Sequence, residues 1–103
     1  MDFDIITHAG GLRVALKGRL TFTENEAFRR MLAALSAAPG AAARIAFDLA
    51  EVSFIDSAGL GLLLHARDCW RGRDGRVTLA GADGQVARML TLARFDALFD
   101  RAA

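Results

Sequence analysis

Residues 46–64 read AFDLAEVSFIDSAGLGLLL, and the fold turns on how that stretch is divided. An apolar run ends at Asp48, and a second short apolar group (Val52, Phe54, Ile55) leads to Asp56-Ser57. A helix is then expected from Ser57 through Leu60, Leu63, Leu64, Ala66 and Trp70. These residues cover a broad arc of the helical wheel and leave Gly61, His65 and Asp68 together opposite it. Between the two apolar segments lies a polar tip of small residues, where a partner or a chemical group can reach the backbone. Ser57 can serve there as a nucleophile, a phosphate acceptor or a helix cap.

Upstream, Arg44-Ile45-Ala46-Phe47-Asp48-Leu49 has the density of apolar residues expected of an interior strand covered on both faces. Before it, Ala27, Phe28, Met31, Leu32, Leu35 and Ala38 form one apolar stripe of a helix that Pro39-Gly40 stops. Thr23-Glu24-Asn25-Glu26 matches the capping box, in which the Thr hydroxyl and the Glu three residues on satisfy free N–H groups reciprocally. Earlier still, Phe3, Ile5 and Thr7 alternate with more polar residues, and Leu12, Val14 and Leu16 repeat the period after Gly10-Gly11. That pattern predicts a β-hairpin whose second strand ends at Gly18.

Downstream, Gly72 and Asp74-Gly75 supply a stop and a turn, and Val77, Leu79 and Ala80 a further strand. Asp83 is a candidate N-cap for a third helix carrying Val86, Met89, Leu90 and Ala93. Phe95, Leu98 and Phe99 are expected to dock a short strand or turn on the sheet edge. Strands joined through helices imply parallel neighbours, and the opening hairpin adds an antiparallel pair. The chain is therefore expected to be one α/β domain, residues 1–103, with a mixed sheet of four to five strands and helices packed on it.

Composition narrows the function. At 103 residues the chain can bury a core without disulfides or metal. Net charge is +1, from 13 basic and 12 acidic residues, with no basic stripe of the kind a small nucleic-acid-binding domain carries. The single cysteine, Cys69, lies in an apolar helical pattern and is expected to be a buried structural thiol. The opening MDFDIITH lacks the basic start and apolar core of a signal peptide, and no run approaches a membrane span, so a cytoplasmic protein is expected.

Catalytic constellations are missing at the level of sequence. A serine nucleophile needs a base within reach, yet the two histidines are His8, on an early strand, and His65. The latter lies about 12 Å along the helix from Ser57 at the usual rise per residue. The G-x-S-x-G elbow is absent, as is zinc-ligand spacing, and Gly59 and Gly61 lack the third glycine of a dinucleotide fingerprint. Close packing at a helix start accounts for those glycines. No enzyme activity and no cofactor are expected.

The stretch resembles the STAS domain family, in particular bacterial anti-sigma factor antagonists. The matching residues are Phe47-Asp48-Leu49, Val52, Phe54-Ile55-Asp56-Ser57 and Gly59-Leu60-Gly61 running into Leu62-Leu63-Leu64. The match goes on through Gly75, Val77, Leu79, Val86, Leu90 and the segment from Phe95 to Phe99, and upstream Gly18-Arg19-Leu20 looks like a family signature. The resemblance implies helices mainly against one side of the sheet. It also implies that Ser57 is phosphorylated by a partner that is both anti-sigma factor and serine kinase. The unphosphorylated domain would bind that partner through Thr21, Asp56, Ser57, Ala58, Gly59, Leu60 and Gly61, and a PP2C-type phosphatase would restore the serine. Four positions depart from the family pattern: Ala58 replaces a second serine, Thr21 an aspartate, and Arg94-Phe95 a Gly-Leu pair. STAS-like domains also serve as non-phosphorylated accessory subunits that bind an ATPase of a transport complex, which is the alternative expectation.

Overall fold

Residues 44–71 form one long strand that runs, with a single residue between, into one helix. β3 spans Arg44–Ile55 and α2 spans Ser57–Arg71. The computed structural model describes residues 1–8, 11–37, 44–71 and 76–102, with backbone alone at His8, Arg71 and Asp100–Ala102. The expected Pro39-Gly40 stop and the turns at Gly10, Gly72 and Asp74-Gly75 lie outside these residues.

The division expected at Asp48 is not there, because that carboxylate is satisfied without leaving the strand. The Ala50 N–H donates to it at 3.0 Å and Arg13 on the neighbouring strand pairs with it. The Ala50 N–H first, and then the Arg13 guanidinium, hold the Asp48 carboxyl below its ordinary pKa against the opposing effect of burial.

β1 (Asp2–His8) pairs antiparallel with β2 (Gly11–Leu20), and β2 pairs parallel with β3. β4 (Arg76–Ala80) and β5 (Asp100–Ala102) add parallel neighbours on the far side, for a sheet order β1-β2-β3-β4-β5. β2 does not stop at Gly18. The register shifts there, at a positive φ of 97°, and pairing continues to Leu20 opposite Ile55.

One face of this sheet carries the core. Leu12, Val14 and Leu16 of β2, Ile45 and Phe47 of β3 and Leu79 of β4 point to it and are buried. Their alternates do not: Arg13 is exposed and Ala46, Asp48 and Thr78 are half-buried. The expectation that β3 is covered on both faces is thereby corrected. The strand alternates, and its apolar density comes from small alanines on the open side.

The helices close the core face. α1 (Asn25–Ala37) buries Phe28, Met31, Leu32 and Leu35, and the Phe28 ring lies 6.3 Å from that of Phe47. Each such side chain contributes about 1.5–3 kcal/mol by leaving water. The helix is entered through a 3-10 turn, Phe22–Glu24, with Thr21 at its N-cap, so the expected capping box does not form. The Thr23 hydroxyl lies 3.2 Å from that of Thr21, and Glu26 pairs with Arg30 instead. α2 buries a narrower stripe than its leucines suggested: Gly59, Leu63, Ala66 and Trp70, with Leu60, Leu62 and Leu64 half-buried. Gly61, His65 and Asp68 face outward as expected. Cys69 is exposed rather than buried, since one residue turns the helix about 100° away from Trp70. Its Sγ lies 3.8 Å from His65 Nε2.

α3 (Gly84–Leu92) buries Val86 and Leu90 beneath β3 and starts at Asp83 as expected, without a side-chain cap bond. It ends at Arg94, a non-glycine residue with φ 58° and ψ 38°. A second 3-10 turn, Phe95–Ala97, then delivers the chain to β5. Arg67 of α2 donates to the Leu98 carbonyl at 2.6 Å and holds this segment against the helix.

Candidate functional site

Asp56, the single residue between β3 and α2, holds the site together. Its Oδ1 accepts from the Gly59 N–H at 2.7 Å, and its carbonyl accepts from Leu60 at 3.0 Å. Those two bonds make Asp56 the N-cap of α2, so the capping role that Ser57 was open to belongs to its neighbour. The other carboxylate oxygen, Oδ2, accepts from the Phe22 N–H at 3.2 Å. One side chain thus satisfies the first turn of α2 and the first turn of the segment leading into α1. This connection brings Thr21 beside Asp56, two residues far apart in sequence.

Ser57 is therefore the first residue inside the helix, and it is exposed. Among the described residues its hydroxyl has no hydrogen-bond partner, neither an imidazole nor a carboxylate. The nearest-in-sequence histidine, His65, is turned to Cys69. Ala58 and Leu60 are half-buried beside it, and Gly61 is exposed.

The two glycines that follow have different reasons. A Cβ on Gly59 would fall 2.0 Å from the Leu20 carbonyl oxygen, so only glycine lets α2 start this close to the end of β2. Gly59 is buried there; it shapes the site and offers no side-chain surface. A Cβ on Gly61 would meet nothing within 4 Å, so the expectation that close packing explains it is corrected.

Three residues were not among the expected site residues, although Arg19 stands inside the Gly18-Arg19-Leu20 signature. Gln85, at the start of α3, places its side-chain amide on the backbone of Ile55: Oε1 accepts from the Ile55 N–H at 3.0 Å and Nε2 donates to the Ile55 carbonyl at 2.8 Å. β4 pairs with β3 only as far as Asp48, and Gln85 replaces the missing strand at the last residue before Asp56. Phe22 is 74% exposed, an aromatic side chain standing off the apolar stripe that follows it. Arg19 lies on β2 with its guanidinium 5.0 Å from the centre of the Phe54 ring. Phe22 separates a cleft walled by Arg19, Phe54 and Asp56 from a smaller hollow walled by Asn25, Ala58 and Leu62. The off-stripe position of Phe22 was available to sequence reasoning; the Gln85 bond was not, because it spans thirty residues.

A family model described as "Mlab, STAS domain" matches residues 6–100. The chain belongs to the STAS family. A STAS-domain containing protein of Pseudomonas aeruginosa (strain UCBPP-PA14) is 30% identical over 88 residues, covering 85% of this chain and 84% of its own. An anti-sigma factor antagonist from Mycobacterium paratuberculosis superposes with a TM-score of 0.82 at 20% identity, over 97% of this chain and 83% of that one. The Bacillus cell fate determinant SpoIIAA is similar in both of its forms. Unphosphorylated, and described as an anti-sigma factor antagonist, it matches with a TM-score of 0.73 at 22% identity, over 99% and 88% of the two chains. Phosphorylated, it matches at 0.69 and 21%, over 99% and 92%. At such identities the structural likeness shows the fold, and what this STAS domain does has to be argued from its site. Among the described residues no group of three His, Cys, Asp or Glu side chains is disposed to hold a metal, and no helix is long and apolar enough to cross a membrane.

Proposed function

We propose that this STAS domain is an anti-sigma factor antagonist that works as a phosphorylation-controlled partner switch, with Ser57 as acceptor. The observation that carries this is the contrast between Asp56 and Ser57. Asp56 takes over the capping work, which leaves the Ser57 hydroxyl exposed and unengaged at the first helical position.

In its unphosphorylated state the domain binds an anti-sigma factor that is also a serine kinase, and so frees the sigma factor. Thr21, Asp56, Ser57, Ala58, Leu60 and Gly61 form the docking surface, shaped from below by Gly59. The kinase transfers the γ-phosphoryl group of ATP to Ser57 Oγ: the new O–P bond forms, the bond to ADP breaks, and the hydroxyl proton leaves to a base of the kinase. A PP2C-type phosphatase hydrolyses the ester and resets the switch. The module works in the cytoplasm, without direct contact to nucleic acid.

The physics of release is local. The phosphate adds about −1.5 to −2 charges at neutral pH. At a helix N-terminus such charge is favoured by about 0.3–1 kcal/mol, so the domain stays folded. A partner surface fitted to a small neutral hydroxyl instead meets bulk, and charge set beside the Asp56 carboxylate. Every 1.4 kcal/mol lost weakens the complex about tenfold.

Incubated with its cognate kinase and ATP, the domain gains one phosphate, and Ser57→Ala gains none; intact-mass measurement reads both. In an affinity pull-down, wild type and Ser57→Ala retain the kinase while Ser57→Asp loses it by at least about tenfold in affinity. Labelling undiminished in Ser57→Ala, or specific capture of a transport ATPase in place of the kinase, overturns the reading.

A further inference from the structure

Gln85 stands where β3 gives way to the segment that carries Ser57. Beyond Asp48 the strand keeps β2 on one side, and among the described residues no strand flanks the other. At Ile55 the Gln85 side chain fills that open side: Oε1 accepts from the Ile55 N–H at 3.0 Å and Nε2 donates to the Ile55 carbonyl at 2.8 Å. An amide offers an acceptor and a donor in one plane, as a peptide unit does, and only one of its two orientations makes both bonds. Val86, the next residue, is buried in the core and anchors the start of α3. On the β2 side, the Asp56 N–H donates to the Leu20 carbonyl at 3.4 Å, and Gly59 lies against the same oxygen. Ile55-Asp56 is thus gripped from two sides, by α3 and by the end of β2.

We infer that Gln85 is a positioning residue for the phosphorylation of Ser57: acting through Ile55, it holds Ser57 Oγ in place for attack on the γ-phosphoryl group. The inference rests on the partner-switch reading above. The base and the nucleotide belong to the kinase, so what the acceptor domain supplies is placement. A misplacement of about 1 Å costs on the order of 100-fold in rate. The Ser57 hydroxyl bonds nothing among the described residues, so its place is set through the backbone before and after it. Asp56 fixes the side that follows by capping α2. The preceding side would rest on β2 alone without Gln85, and the β2 register already shifts between Gly18 and Arg19, close to that end.

Two measurements test this. In the first, wild type, Gln85→Met and Val77→Ala are phosphorylated by the serine kinase in single turnover at saturating kinase. Calorimetry gives the affinity of each unphosphorylated domain, at a temperature where thermal unfolding shows all three folded. Methionine keeps the length of the glutamine side chain without its hydrogen bonds. Val77 is buried in β4 opposite Ile45, at the other end of β3, so its truncation loosens the core away from the site. Gln85→Met lowers the saturated rate about tenfold or more while its affinity stays within about threefold, and Val77→Ala keeps the wild-type rate. A wild-type rate in Gln85→Met, a loss carried by affinity alone, or an equal loss in Val77→Ala overturns the inference.

The second needs no kinase. Amide hydrogen exchange, followed by NMR, quickens about tenfold or more in Gln85→Met at Asp56, Gly59 and Leu60, and keeps wild-type rates at Ile45 and Val77. The first three N–H groups bond the Leu20 carbonyl and Asp56, not Gln85, so they report on the segment rather than on the lost bond. Quickening confined to Ile55, which simply loses its acceptor, overturns the inference, as does quickening spread evenly over the sheet. A kinase that leaves wild type unphosphorylated sinks the partner switch, and exchange then decides alone whether Gln85 holds the segment.

Discussion

At the scale of single residues, the site depends on a one-position offset between two good capping residues. Asp56 and Ser57 are both preferred N-caps, and local sequence does not choose between them. The choice is made by strand pairing: Ile55 is the last β3 residue opposite β2, so Asp56 is the first free to cap. Replacing it removes an acceptor for Gly59 and another for Phe22. Asp56→Ala is expected to lower stability by about 1–2 kcal/mol, measured by urea unfolding. Asp56→Asn keeps an acceptor for α2 but not for Phe22 and should lose roughly half as much. Ser57→Ala, by contrast, should leave stability unchanged while abolishing phosphorylation, because its hydroxyl bonds nothing among the described residues.

At the scale of elements, the beginning and end of helices carry the informative residues. Gly59 and Gly61 look alike in the sequence and sit in one helix, yet the space around them differs completely. Gly59→Ala would drive a methyl group into the Leu20 carbonyl and force α2 away from β2, at a cost of about 2–3 kcal/mol. Gly61→Ala meets open space and should stabilise α2 by about 0.5–1 kcal/mol. Thermal unfolding of the pair, run side by side, separates packing from flexibility. The end of α3 offers the opposite case. Arg94 adopts a left-handed conformation, which an L residue with a Cβ adopts at a cost. Arg94→Gly is expected to raise stability by about 1 kcal/mol, and an unchanged or lower urea midpoint contradicts that account. Helix existence, order and apolar faces were legible from period alone. The boundaries were not: the capping box at Thr23 lost to a 3-10 turn, and the leucines of α2 overstated its buried arc.

At the scale of the molecule, a sheet covered on one side leaves its other face to charge pairs such as Arg13 with Asp48 and Lys17 with Asp4. The proposed switch site lies at one end of this sheet, where β2, β3, α2 and the entry to α1 converge on Asp56. Charge placed there touches no core residue. Ser57→Asp should therefore stay within about 1 kcal/mol of wild-type stability, the helix dipole favouring the new carboxylate and Asp56 opposing it. A large drop in its unfolding midpoint would mean that release works by loosening the fold rather than by charge at the interface.

By itself the sequence determined what is periodic or local: the strand and helix order, the apolar stripes, the mixed sheet, and a polar tip at Asp56-Ser57. These follow from side-chain spacing within one element and need no knowledge of its neighbours. The tertiary structure alone decided which face of β3 is covered, that Gln85 completes that strand, that Cys69 is exposed, and which residue of the opening stretch caps α2. Each of those depends on a contact between segments distant in the chain, and hydrophobic period records that a face is buried without recording what it is buried against.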